Sequence, residues 1–320
     1  MRMVIGVDGG GTKTVGVLVD SEGHVLARAV TESSNFQVVG GDALGRVISD
    51  LVNQLLTNAG QRQPVVHLYA GLAGAGRPAD RQTIITVLES KKLAKKITVD
   101  TDAAAALAGA FAGGPGIIVI SGTGAICFGK DRRGEFYRCG GWGYLLGDEG
   151  SGYYIGQQAL IAALKDWDGR GVKTCLRSAI EQKYGIRSID LLISSIYSGK
   201  IDRTEIASLA PLVFDKRAEG DEAAMNIIAS AGQEIGKIIA AVARRMGLAG
   251  CSVRVALIGS VFKQRDILIP LMEREACRVV QEIHFMDPQF EPAIGSAILA
   301  LQQELGLLDE TVLAHLAEAK

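Results

Sequence analysis

The sequence has few aromatic residues, no long apolar run and almost no net charge. Aromatic residues make up 5% of the 320 positions, and 34 Lys and Arg oppose 35 Asp and Glu, for a net charge of -1. A nearly neutral chain gives no electrostatic basis for nucleic-acid binding. No stretch is apolar enough to cross a bilayer, and Met3–Val7 has a strand pattern rather than that of a signal peptide. We therefore predict a cytoplasmic protein without nucleic-acid or membrane partners.

Cysteine is also scarce, with five residues that form no C-x-x-C pair. The odd number and wide spacing indicate small buried thiols in a reducing compartment, not a disulfide framework or a zinc site. Hydrophobic residues reach 48% and charged residues 22%, so the chain should fold into a packed core. Its length predicts two domains.

Two hairpins with glycine turns open two parts of the chain. The first reads VIGVDGGGTKTVGVLVDSEGHV, and the second, after a break at Gly113–Gly116, reads IIVISGTGAICFGKDRRGEF. Placed side by side, they set Asp8 opposite Ser121 and make the second turn about two residues shorter. A strand-turn-strand-turn-strand unit that occurs twice favours a duplicated lobe over chance.

The first turn, Asp8–Thr14, has the chemistry of a phosphate-binding loop. Glycines without Cβ atoms let backbone N–H groups approach an anion, Thr12 adds a hydroxyl and Lys13 adds charge. Asp8 at the strand end could hold Mg²⁺ through water. The turn lacks the G-K-[ST] ending of a P-loop and leads into a strand, so a plain hairpin with a solvated Asp8 is the alternative.

A second turn, Ser121–Gly124, follows a fully apolar strand and has two glycines and two hydroxyls. By itself it is again either an anion-binding turn or an ordinary hairpin. Thr101–Asp102 stands where a strand meets an alanine-rich helix, and position alone favours helix capping by Asp102 over a role as general base. The strand at Leu257–Ile258 ends in Gly259-Ser260, where either a nucleoside or a plain strand-to-helix turn fits.

The most unusual segment is CGGWGYLLGDEGSG, from Cys139 to Gly152. Carboxylates and backbone groups bind sugar hydroxyls and an aromatic face packs against the ring, so this loop suits a sugar, with Asp148 accepting from two hydroxyls. Ser151 is expected to cap the following helix as well. Farther on, the apolar spacing predicts mostly helices, including single helices over Ser188–Tyr197 and Asp202–Phe214.

In this order, GVDGGGTKT, DTDAAAAL, VISGTGAIC, CGGWGYLLGDEGSGYYIGQQA and ALIGSVFK closely resemble the N-acetylglucosamine kinases of the BadF/BadG/BcrA/BcrD ATPase-like family, in the actin–hexokinase–chaperone ATPase superfamily. The resemblance implies an α/β protein with two ribonuclease-H-like lobes (the actin-like ATPase fold) and a cleft between them. The lobes would span residues 1–112, with a C-terminal helix 293–320 packed on this lobe, and 113–292.

The resemblance also implies roles for individual residues. Asp102 would be the catalytic base, which reverses the preference for capping, while the Mg²⁺ role of Asp8 varies within the family. Gly259 and Ser260 would contact the nucleoside. The ATP phosphates would lie on Gly10, Gly11, Thr12, Lys13, Gly122, Thr123 and Gly124. The sugar would lie on Asn35, Gly141, Trp142, Gly143 and Asp148.

The implied reaction transfers the γ-phosphoryl group of ATP, with Mg²⁺, to the 6-hydroxyl of N-acetyl-D-glucosamine. Family members are often homodimers. The loop at residues 71–76 is expected near the 2-substituent of the sugar, but N-acetylmuramic acid and glucosamine stay open as acceptors. An ATPase activator of an acyl-CoA dehydratase or reductase would need cluster-binding cysteines in a fixed context. A non-catalytic sugar sensor is disfavoured by Asp102 and the two turns.

Overall fold

The computed structural model describes residues 2–62 and 65–318. The chain folds into two compact units, Met1–Pro115 with Pro288–Lys320, and Gly116–Asp287. Each unit contains one five-stranded sheet covered by helices. The lobe boundaries inferred from the sequence, at 112/113 and 292/293, stay predictions. No helix in the described ranges is long and apolar enough to cross a membrane.

The first unit is built on the sheet order β3-β2-β1-β4-β5. Its elements are β1 Met3–Gly9, β2 Lys13–Asp20, β3 Val25–Glu32, α1 Phe36–Asn58, β4 Val65–Leu72, α2 Pro78–Ser90, β5 Ala94–Thr101, α3 Asp102–Ala110, α11 Pro292–Leu305 and α12 Glu310–Glu318. β1 is the central strand of this sheet, as its apolar sequence favours, and its apolar side chains are buried on both faces. Helix α11 packs on β1 so closely that a Cβ on Gly6 would lie 2.3 Å from the carbonyl oxygen of Ala293.

The second unit is built on the sheet order β10-β9-β6-β7-β8. Its elements are β6 Gly116–Ser121, β7 Ala125–Lys130, β8 Phe136–Gly140, α4 Gly152–Trp167, α5 Cys175–Tyr184, α6 Leu192–Tyr197, α7 Arg203–Ala207, α8 Ala210–Ala218, α9 Glu222–Arg245, β9 Ser252–Ile258, α10 Arg265–Ala276 and β10 Glu282–Met286. The long helix α9 buries an apolar face against the core of this unit, because its isoleucines and alanines recur at helical spacing.

The two sheets have the same topology. In each, the first three strands form an antiparallel meander, and the fourth strand pairs parallel with the first. This identity explains the sequence repeat and confirms the predicted α/β class with two ribonuclease-H-like lobes. The strand register corrects the predicted turn lengths: residues 10–13 lie between the last paired residues of the first hairpin and residues 122–124 in the second, a difference of one residue.

Three predicted helices are wrong in extent. The single helix over 202–214 is broken at Ser208-Leu209, where Ser208 Oγ bonds back to the carbonyl of Glu205 at 2.6 Å and Pro211 lacks the N–H that would continue the helix. Residues 188–197 form a 3₁₀ turn followed by the short α6. The C-terminal helix 293–320 is two helices, because Gly306 has a φ of 86° between them, and residues 319–320 lie outside the described residues.

Candidate active site

The first glycine turn connects β1 to β2 at the end of the sheet. Gly10 N–H donates to the carbonyl of Lys13 at 3.0 Å, and Ser33 Oγ donates to the carbonyl of Gly10 at 3.0 Å. A Cβ added at Gly11 would meet no atom within 4 Å, and Gly11 has no positive φ. Internal packing therefore does not require glycine there. A bound phosphate needs such open space next to a backbone turn.

Asp8 stands at the carboxyl end of β1, where it pairs with Val15 of β2 and Gly71 of β4. Burial, together with the carboxylates of Asp102 and Glu291, raises the pKa of Asp8 from 3.8 to about 6, although Lys13 lowers it. Two mutually repelling carboxylates favour a cation, because a positive charge would stabilise their ionised forms.

Asp8 should make the unfolding free energy depend on pH in the absence of divalent ions. Because its folded-state pKa is raised, this carboxyl contributes stability below about pH 4 that is lost as the pH rises through about 6. Asp8→Asn mimics the protonated form, so we expect it to raise the unfolding free energy at pH 8, by at most about 3 kcal/mol. Urea unfolding in EDTA at pH 4 and pH 8 tests this. An Asn variant that gains as much at pH 4 as at pH 8 would contradict it.

Asp102 is the first residue of α3, and the helix cap lies one residue earlier. Thr101 Oγ1 accepts the N–H of Ala104 at 3.2 Å, which satisfies the exposed donor at the helix start. Asp102 Oδ1 accepts the adjacent N–H of Ala103 at 2.9 Å, a bond that does not close the helix end. Burial raises the pKa of Asp102 although backbone N–H groups lower it. The interpretation of Asp102 as the N-cap is therefore wrong, and its carboxylate is left for another role.

Asn35 lies beside Gly74 in the loop at residues 71–76, which is predicted to lie near the 2-substituent of the sugar. It caps α1, accepting the N–H of Gln37 at 3.1 Å. A Cβ on Gly74 would lie 2.9 Å from Asn35 Oδ1, and Gln37 Nε2 donates to the carbonyl of Gly74 at 3.3 Å. Asn35 thus has a structural role in addition to its predicted contact with the sugar.

The second glycine turn is held by the start of α4. Gly152 N–H donates to the carbonyl of Gly122 at 2.7 Å, and Ser121 Oγ donates to the carbonyl of Gly150 at 2.9 Å. Gly122 N–H donates across the turn to the carbonyl of Gly124 at 3.0 Å. A Cβ on Gly122 would meet nothing within 4 Å, as at Gly11. Both turns therefore have an unfilled space next to a glycine.

Gly122→Ala tests whether that space belongs to a phosphate. The new methyl group meets no protein atom, so we expect a melting temperature within about 2 °C of wild type. It would enter the space of a bound phosphate, so we expect ADP affinity to fall about tenfold or more. Calorimetric titration with ADP measures the affinity directly. Unchanged ADP affinity in a stable variant would remove this turn from the nucleotide site.

Asp148 lies in the glycine-rich loop between β8 and α4, next to the second turn. Its side chain is 5% exposed, and a Cβ on Gly124 would lie 2.9 Å from its Oδ2. Its φ is 63°, a left-handed conformation that is uncommon for a residue other than glycine. A buried carboxylate in a strained conformation beside the second glycine turn is the kind of residue that a functional site retains.

The aromatic residue of this loop is Trp142, which is 67% exposed. The guanidinium of Arg138 stacks on the indole at 4.6 Å from the ring centroid, and its Nη2 donates to the carbonyl of Gly141. Gly141 and Gly143 both have positive φ values. One face of Trp142 is thus covered by a cation, so a sugar ring would have to use the opposite face or the edge of the indole.

A pocket of about 370 Å³ lies beside the second turn, wholly within the second unit. Ser260 lines this pocket, and Gly259 precedes it directly. Gly259 has a φ of 114°, and a Cβ added to it would lie 2.2 Å from the carbonyl oxygen of Ser121. The pocket is lined by Gly122, Thr123, Gly152, Thr204, Ala207, Ser208, Ala210, Pro211, Phe214, Ser260, Val261, Lys263 and Gln264. Two predicted phosphate residues and one predicted nucleoside residue therefore meet at one cavity.

The α7–α8 wall of this pocket was missed by sequence reasoning. It contributes apolar surface from Ala207, Ala210, Pro211 and Phe214. The signal that could have revealed it is Pro211, which marks a new helix start inside a segment predicted as one helix. The α7–α8 wall lines the same pocket as the second glycine turn, almost ninety residues earlier, and no local sequence pattern indicates such a tertiary contact.

The strand topology, repeated in the two units, defines the chain as a protein with actin-like ATPase lobes. The chain belongs to the BadF/BadG/BcrA/BcrD ATPase family, whose sequence model matches residues 5–300. An N-acetylmuramic acid/N-acetylglucosamine kinase of Clostridium acetobutylicum is 34% identical over 94% of this chain and 98% of its own length. An N-acetyl-D-glucosamine kinase of Dictyostelium discoideum is 32% identical over 95% of this chain and 99% of its own length.

Solved structures agree with this family and this fold. A proposed N-acetylglucosamine kinase from Chromobacterium violaceum is 29% identical, with a TM-score of 0.72 over 94% of this chain and 99% of its own. A ROK-family glucokinase from Streptomyces griseus, solved with glucose and AMPPNP, is 16% identical, with a TM-score of 0.54 over 94% of this chain and 99% of its own. The second likeness concerns the fold alone.

Proposed function

We propose that this protein is an ATP-dependent sugar kinase that phosphorylates the 6-hydroxyl of N-acetyl-D-glucosamine, giving N-acetylglucosamine 6-phosphate and ADP. The observation that carries the proposal is the open space at Gly11 and Gly122, two glycines that no internal contact or positive φ requires. Both stand in matching hairpins, as expected for loops that hold phosphates. The relatives that are 34% and 32% identical are both kinases of N-acetylated amino sugars.

The chain's own groups supply the elements of an in-line phosphoryl transfer. The sugar O6 attacks the γ-phosphorus, the bond to the β–γ bridging oxygen breaks, and ADP leaves. Asp102 accepts the proton from the 6-hydroxyl, a role that its raised pKa supports because a stronger base is a better proton acceptor. Backbone N–H groups of the two turns stabilise the charge that develops on the phosphoryl oxygens.

The residues that would hold ATP fall into two groups. Gly10, Gly11, Thr12 and Lys13 belong to the first turn, and Gly122, Thr123 and Gly124 to the second. Gly259 and Ser260 follow β9 beside the second turn, and the apolar side of the pocket suits the flat faces of adenine. For the sugar, Asn35 would contact the 2-substituent side, while Gly141, Trp142, Gly143 and Asp148 would contact the ring and its hydroxyls.

Asp8 and Asp102 fit a magnesium ion that arrives with ATP. Mg²⁺ in nucleotide sites takes one or two carboxylates, phosphate oxygens and water, so it does not need a complete set of protein ligands. The described residues contain no group of three or more potential metal-binding side chains. When bound, the ion would neutralise phosphate charge. Asp8 would hold the ion through water, near the carboxylate of Asp102, whose charge raises the pKa of Asp8.

An ADP-release assay tests the proposal. N-acetylglucosamine should raise ADP release well above the rate with ATP alone, and N-acetylmuramic acid is the second acceptor to compare, since one relative is named for both sugars. Glucosamine should be poorer, because the glucosamine kinase of Vibrio cholerae is only 25% identical. N-acetylmannosamine and glucose complete the panel. If no sugar raises the rate, the kinase proposal fails.

The alternative of an ATPase activator with a shared iron–sulfur cluster is less well supported. Cys127 and Cys139 pair across β7 and β8, but Cys127 is fully buried in the core of its unit. That burial, with a smaller effect of Cys139, raises the pKa of the Cys127 thiol well above its ordinary value. A neutral thiol inside a core is poorly placed as a ligand shared between subunits. A homodimer and a cytoplasmic location remain parts of the proposal, to be tested by sedimentation and by cell fractionation.

A further inference from the structure

A chain of polar contacts runs from the loop at residues 71–76 to the start of α3. Arg81 Nη2 lies 3.2 Å from Asp100 Oδ1, and Arg81 Nε donates to the carbonyl of Ala75 at 3.4 Å. Asp100 Oδ1 also accepts the N–H of Thr101 at 2.7 Å. A single carboxylate thus connects the loop to the residue that caps the helix of Asp102.

Tyr69 holds the other oxygen of this carboxylate. Its hydroxyl donates to Asp100 Oδ2 at 3.1 Å, and the tyrosine is 4% exposed. Burial raises the pKa of Tyr69, and the nearby Asp100 adds to the effect, so the hydroxyl keeps its proton and stays a donor. With both oxygens engaged by Tyr69, Arg81 and Thr101, the Asp100 side chain has little freedom to rotate.

One end of this series of polar contacts adjoins a residue proposed to bind the sugar, and the other end adjoins the proposed base. The loop contacts Asn35 through Gly74, and Ala73 N–H donates to the carbonyl of Gly9 at 2.7 Å, at the end of β1. At the other end, Thr101 caps α3 and Asp102 follows it directly. Phosphoryl transfer needs the acceptor hydroxyl and its base in close alignment, and small displacements are costly.

We propose that Asp100 is a positioning residue, clamped by Tyr69 and Arg81, that fixes Asp102 relative to the loop at residues 71–76. The assignment rests on the proposed function and adds a residue to which no substrate contact is ascribed. Pairing of Leu72 with Thr101 already aligns the strands. The clamp adds a contact beyond the end of β4, because Arg81 joins Asp100 to the carbonyl of Ala75, which lies past the last paired residue of the strand.

Asp100→Asn and Arg81→Met should each lower kcat about tenfold to a hundredfold and raise KM for the sugar. The Kd for ADP should stay within about twofold of wild type, because the nucleoside pocket is lined by residues of the other unit. Arg81 acts through Asp100, so the double variant should be within about twofold of the worse single variant. Arg170→Met, which removes the exposed ion pair with Asp168, is the control and should change neither kcat nor the KM for the sugar.

Two measurements separate this inference from the proposed function. If wild-type protein turns over no sugar, the kinase proposal fails. Amide hydrogen exchange then tests whether Asp100 holds the two segments in place, and faster exchange is expected at residues 73–76 and 102–105 in Asp100→Asn. If wild type is active, the clamp is overturned when both single variants keep kcat and sugar KM within about twofold, or when Asp100→Asn leaves exchange at both segments unchanged.

Discussion

Asp102→Asn should lower kcat by about 10²- to 10⁴-fold and leave the melting temperature within about 2 °C of wild type. The amide keeps the shape of the side chain but cannot accept the proton of the sugar hydroxyl. Stability should not fall, because Thr101 caps α3 and because burial penalises the ionised form of Asp102. Steady-state kinetics and thermal unfolding of the same preparation measure both quantities.

Thr101→Ala is the matched control one residue away. It removes the cap bond to Ala104, so it should cost about 1 kcal/mol and lower the melting temperature by about 2–4 °C. The two neighbouring substitutions should therefore have opposite profiles, one mainly kinetic and one with a clear loss of stability. An Asp102→Asn variant that stays active but melts early would make Asp102 a structural residue.

Gly259→Ala should be among the most destabilising single-methyl additions in the chain. The new Cβ would lie 2.2 Å from the carbonyl oxygen of Ser121 and 2.6 Å from its carbonyl carbon, both backbone atoms that no rotamer change can move. The φ of 114° adds strain for any residue with a Cβ. We expect a loss of at least about 3 kcal/mol, or about 6–12 °C in melting temperature, and ADP binding too weak to measure.

Gly122→Ala provides the contrast, since it adds the same atom to the neighbouring turn where no protein atom lies within 4 Å. It should weaken ADP binding without a loss of stability, whereas Gly259→Ala should lose both. Equal melting temperatures for the two variants would show that the close approach of Gly259 to Ser121 does not constrain the fold. An ADP affinity of Gly122→Ala equal to that of wild type would show that Gly122 is not at the phosphates.

Local patterns were sufficient for most strands and for the duplication. The end of β9 at Ile258 was predicted where it occurs, and the two hairpins were recognised because their turn glycines and apolar strands lie within about twenty residues of sequence. The family prediction from the ordered motifs is confirmed by the match over residues 5–300. Helix ends are less predictable, since Gly40 has a non-helical conformation near the start of α1 and Pro211 lies at the start of α8, inside a segment predicted as one helix.

Some residues of the candidate site could likewise be predicted from the sequence, and others could not. Asp8, the two turns, Asp148 and Gly259 could be selected from sequence, because each follows a strand or stands in a glycine-rich segment. The cap at Thr101, the α7–α8 wall of the pocket and the Asp100 clamp could not. They depend on side chains that meet across about 20 to 140 residues of chain or on a choice between adjacent residues.

The sequence by itself determined the family, the repeated hairpins and the residue types at the turns, because hydrophobic period and turn chemistry are local properties. Only the tertiary structure decided that Gly259 must be glycine, since its constraint is the backbone of Ser121 on another strand. Only the tertiary structure gave Asp8 its raised pKa, because burial and the charges of Asp102 and Glu291 act through space and not along the chain.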